Sequence, residues 1–91
     1  MDVKEAVQTA KKYVAELFTD ETIADVGLEE VVFNDTSNNW EITIGFSRPW
    51  QKTSLAAALG NQAPGRSYKL VCINDNDGQI TSLTDRVLTA S

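Results

Sequence analysis

The chain has 91 residues, 42% hydrophobic and 23% charged, with thirteen acidic side chains against eight basic ones and a net charge of −5. That length predicts one small domain, and that balance excludes disordered, collagen-like and coiled-coil classes. With no histidine and one cysteine, His-ligated zinc, Ser-His and Cys-His nucleophile pairs, histidine pH switches and an internal disulfide are also excluded.

Asp2 and Glu5 stand at capping-box spacing and open a helix predicted over about 3–18. Val3, Ala6, Val7, Ala10, Tyr13, Val14, Leu17 and Phe18 recur at three- and four-residue steps, while Lys4, Gln8, Lys11, Lys12 and Glu16 take the other side. The small Ala6 and Ala10 let a partner surface approach the axis. From there the period changes to two. A first strand is expected at about 28–33, where Val31 and Phe33 share a face and Leu28 is out of phase, so a bulge is expected near Gly27 or Glu30. A second strand covers about 39–47, with Trp40, Ile42, Ile44 and Phe46 alternating against Glu41, Thr43, Gly45 and Ser47. A third, nearly all apolar, covers about 67–74, as a central strand should. The run Asn74-Asp75-Asn76-Asp77-Gly78 forms a turn with Gly78 at positive φ, and a fourth strand returns over about 79–84. The tail after Asp85 has little to hold it beyond Val87 and Leu88.

The segment 48–66 is longer than the roughly 12–15 residues above which a connection is usually functional or disordered. Thr53-Ser54 cap a short helical turn through Leu55 and Leu59, closed by Gly60, with Pro49, Pro64 and Gly65 as hinges. One helix followed by antiparallel strands predicts an α+β domain. The N-terminal helix should lie on a curled sheet of three to four strands, its stripe against Trp40, Ile42, Ile44 and Phe46.

The residues Ala6-Val7, Ala10, Tyr13-Val14, the strand Trp40-Glu41-Ile42-Thr43-Ile44 and the unit Tyr68 to Ile80 with its Asp77-Gly78 turn together resemble a PepSY-type module, within the wider cystatin-like group. Small bacterial open reading frames of the same layout are equally similar. The resemblance implies a non-catalytic domain that binds or inhibits protein partners.

Candidate chemistry is sparse. A calcium loop at the Asp/Asn-rich turn would need an acid at Ile73 and a bidentate Glu at Thr84, so no metal is expected there. Cys72 stands mid-strand without a neighbouring cation and is expected to act as a small buried hydrophobe. Glu29 and Glu30, as adjacent strand residues, are expected to point to opposite faces and so not to share a substrate. Arg48, Trp50, Leu55, Leu59 and Arg66 form the candidate partner-binding set, Trp and Arg being types enriched at binding hot spots. Two readings of that set stay open: a docking surface, or a lid in which Trp50 and the leucines close the end of the sheet and the arginines neutralise local acids.

No Gly-rich phosphate loop or nucleophile elbow occurs, and no basic cluster suits nucleic acid. Residues 1–5 lack a signal-peptide pattern and no run reaches the roughly 18 apolar residues of a membrane span. The expected function is a small, soluble, cytoplasmic, non-catalytic module without a cofactor, acting on a protein partner or by self-association. The alternative is a small-ligand binder or enzyme using the concave sheet face.

Overall fold

The computed structural model describes residues 1–48 and 66–86. Residues 49–65, with the expected helical turn, and the tail 87–91 lie outside the described residues. The order is α1 (Val3–Leu17), a short 3-10 turn (Thr19–Glu21), β1 (Ala24–Asn34), β2 (Asn39–Ser47), β3 (Arg66–Asn74) and β4 (Ile80–Asp85). The strands form one antiparallel sheet in the order β1-β2-β3-β4. It is an open α+β arrangement, with the helix on one face.

Asp2 caps α1, its carboxylate accepting from the Glu5 amide at 2.8 Å. The inward stripe is selective. Ala6, Ala10 and Val14 are fully buried against Ile42, Ile44 and Phe46 of β2 and Val71 and Ile73 of β3. Trp40 packs at the margin of this core. Val3 and Leu17, which the periodicity assigned to the stripe, are 43% and 51% exposed because they stand at the two ends of the helix.

The β1–β2 ladder shifts register twice, between Ala24 and Gly27 and between Leu28 and Glu30, in the region where the phase of Leu28 predicted a bulge. β1 is also longer than its alternation suggested, because Asp25 at φ 56° and the bulges interrupt the period of two. The two hairpin turns share one construction. Asn34 Oδ1 accepts from the amides of Thr36 and Ser37, and Asn74 Oδ1 accepts from those of Asn76 and Asp77. Four residues after each asparagine the chain turns left-handed, at Asn38 (φ 60°) and Gly78 (φ 70°). Asp75 then ties this end together. It accepts from the Trp40 indole at 2.9 Å and lies 3.6 Å from the Met1 ammonium.

Candidate functional site

β2 and β3 are neighbours, and Ser47 pairs with Arg66. Arg48 and Arg66 are therefore brought to the same end of the sheet. Their side chains part at once, because residues facing each other across a ladder share a face and Arg48 is one step out of phase with Ser47.

Arg48 turns to the helix side. Its guanidinium lies 5.0 Å from the Phe46 ring centre and 5.4 Å from that of Phe18, and it donates to Glu21 at 2.7 Å and to Ser67 at 2.8 Å. The Lys69 ammonium stands 5.5 Å from the Phe18 ring and pairs with Asp85. Its hydrogen bond and charge hold the Asp85 carboxyl below the ordinary 3.8, with Arg48 acting in the same sense and desolvation opposing. Two cations thus cover the aromatic end of the core, and two acids balance them.

Arg66 turns to the other face. It donates to the Asp25 carbonyl and to Glu29, each at 2.9 Å. The pair lies over Gly45, where a Cβ would come within 2.6 Å of Glu29 Oε2 and 2.9 Å of Arg66 Nη2. Glycine in a strand interior marks such close approaches, and Gly45 is a signal from which the sequence could have placed the pair.

Glu30 corrects a second expectation. Because Glu29 is the extra residue of the bulge, Glu30 pairs with Thr43 and shares the helix-free face with Glu29 rather than opposing it. Its carboxylate meets Arg86 at 2.9 Å. That ion pair links the end of β4 to β1, so it crosses the two middle strands, where Thr43 and Leu70 follow Glu30 in register. Thr43 is fully buried, and its hydroxyl has no hydrogen-bond partner among the described residues. Both carboxylates of the Glu29-Glu30 pair are therefore held by arginines.

Cys72 is only partly buried and pairs with Glu41 on the same helix-free face, so it does not belong to the core beneath the helix. Among the described residues no cluster of Cys, Asp or Glu is arranged to hold a metal ion. Trp50, Leu55 and Leu59 lie outside the described residues.

Apart from Met1 and Leu17, which stand at the two ends of the N-terminal segment, the exposed large apolar side chains lie on β1 and at the start of α1. Val3, Leu28, Val32 and Phe33 are 39–44% exposed, and all but Val3 belong to β1. An open groove of about 340 Å³ runs between α1 and β1, lined by Val3, Lys4, Val7, Gln8 and Leu28. A second, of about 300 Å³, flanks α1 beside Tyr13 and Ile80. The period-two reading of β1 missed this edge because strand order cannot be read from one strand's alternation. No helix among the described residues is long and apolar enough to cross a membrane. No family model, curated protein or solved structure matches the chain.

Proposed function

We propose that this chain is a small, cytoplasmic, non-catalytic interaction module of the PepSY-like, cystatin-like kind, which engages a protein through the β1 side of its sheet. The observation that carries the reading is the exposed apolar side chains of the outer strand β1, Leu28 and Phe33 on the helix face, where Val3 lines a groove with Leu28, and Val32 on the other face. Apolar residues exposed together are a usual mark of protein contact sites. The helix-side face of the sheet, which a small-ligand binder would use, is filled: its Ile42, Ile44, Phe46, Val71 and Ile73 are fully buried beneath Ala6, Ala10 and Val14 of α1. Arg48 and Arg66 serve this reading as braces: each is engaged by partners on its own face and keeps that end of the sheet in shape.

The test is thermal unfolding across a panel of metabolites and metal ions. The module reading expects no stabilisation. A ligand at 100 times its dissociation constant would add about 2.7 kcal/mol, and a reproducible shift of that size, lost on mutation of concave-face residues, would overturn it.

A further inference from the structure

We propose that Glu30–Asn34, at the outer edge of β1, pairs antiparallel with the same residues of a second copy about a twofold axis at Val32. This rests on the interaction-module reading and names its partner.

The first support is the free edge. Among the described residues no strand lies outside β1, and an unpaired edge presents backbone donors and acceptors to any extended chain. Proteins blunt such edges with bulges, charges or prolines. β1 is bulged at both of its shifts up to Glu30, but from Glu30 to Asn34 its ladder is regular and its three middle residues are Val31, Val32 and Phe33. β4, the other outer strand, carries Thr81, Ser82, Thr84 and Asp85 along its exposed positions. The bulges and the acids Asp25 and Glu29 guard the first part of β1, and only its stretch from Val31 to Phe33 presents an apolar edge, whereas the exposed positions of β4 are polar throughout.

The second support is register. Residues opposite one another must share a face, which restricts self-pairing to a few alignments. Centring on Val32 sets Val32 against Val32 on the helix-free face, Val31 against Phe33 on the helix face, and Glu30 against Asn34. That alignment uses the whole regular stretch and stops before the bulge on one side and the turn on the other. Centring one residue earlier sets Glu30 against Val32 and runs into the bulge. Centring on Glu30 opposes two carboxylates, which is destabilising. Charge agrees with the first alignment: Glu30 already meets Arg86 and faces an amide across the axis. The result is an isologous dimer with a continuous eight-stranded sheet.

The experiment measures mass and exchange in a Cys72→Ser background. Sedimentation of the parent should show a reversible shift from 10.0 kDa toward twice that mass as concentration rises to about 1 mM. The shift should strengthen with salt, because each copy carries −5. Val32→Lys should weaken association at least tenfold, whereas Ser82→Lys on β4 should leave it unchanged. Val32→Cys should close a covalent dimer on mild oxidation, since directly opposed strand residues lie within disulfide reach, and Ser82→Cys should not. Unfolding curves show whether each variant stays folded. A monomer at every concentration, with no Val32→Cys dimer, overturns the self-pairing. If a peptide array then gives binding that Val32→Lys abolishes, the module reading stands and only the partner is wrong. If it gives none, both fall.

Discussion

Gly45 offers a quantitative test of how the helix-free face is built. An alanine Cβ there would sit 2.6 Å from Glu29 Oε2, 2.9 Å from Arg66 Nη2 and 3.0 Å from Glu29 Cγ. The displaced atoms belong to two flexible side chains, so the strands can hold their places while the ion pair is pushed aside. A pair as exposed as this one, at 22% and 31%, contributes about 0.2–1 kcal/mol. Against that loss, Gly45 does not have a positive φ, so alanine gains about 0.4–1 kcal/mol by restricting the unfolded chain. The two effects nearly cancel, and Gly45→Ala alone is expected to change stability by less than about 0.5 kcal/mol. With Glu29→Ala in place, Arg66 is free to turn away and the same substitution is expected to stabilise by about 0.4–1 kcal/mol. Urea unfolding of the four proteins, followed by tryptophan fluorescence and circular dichroism, closes the cycle. A coupling of about 0.5–1 kcal/mol is expected, and additivity within about 0.3 kcal/mol would refute the close approach.

Three further outcomes follow from the same geometry. Ile44→Asp puts an unpartnered carboxylate into the fully buried centre beneath α1 and should abolish cooperative melting by circular dichroism; a folded, cooperative variant would contradict the core. Thr43→Val replaces a buried hydroxyl that lacks a partner among the described residues by a methyl of similar shape and should raise stability by about 1 kcal/mol in urea unfolding; a loss of that size would show the hydroxyl to be satisfied. For Asp85, the lowered folded pKa means that its contribution is present above its ordinary value and disappears as pH falls through the lowered one. Asp85→Asn should therefore lower Tm slightly at neutral pH, and parent and variant should converge in acid below both values; a gap that widens in acid would reverse the sign.

The parts of the fold that follow a single period were legible in the chain. α1 and β2 each bury one face, and their alternations of 3.6 and two identified Ala6, Ala10, Val14, Ile42, Ile44 and Phe46 as core. β1 was shortened in prediction because its two irregularities break the alternation at Asp25 and Glu29. The side-chain direction of Arg48 and Arg66 depends on which residue of β2 meets which of β3, and the pairing of Ser47 with Arg66 emerges only from the ladder. Glu29 and Glu30 illustrate the same limit. Strict alternation separates them, and one inserted residue reunites them on a face. The apolar rim of β1 was hidden for a further reason: Val32 and Phe33 look like core residues until the strand is known to be outermost.

Amide hydrogen exchange, followed residue by residue in dilute and in concentrated protein, tests association through β1 most directly. The outward amides within Glu30–Asn34 should exchange quickly in dilute protein and gain protection at high concentration, while those of β4 stay unchanged. Protection of β1 that does not depend on concentration, or a gain confined to β4, would contradict it.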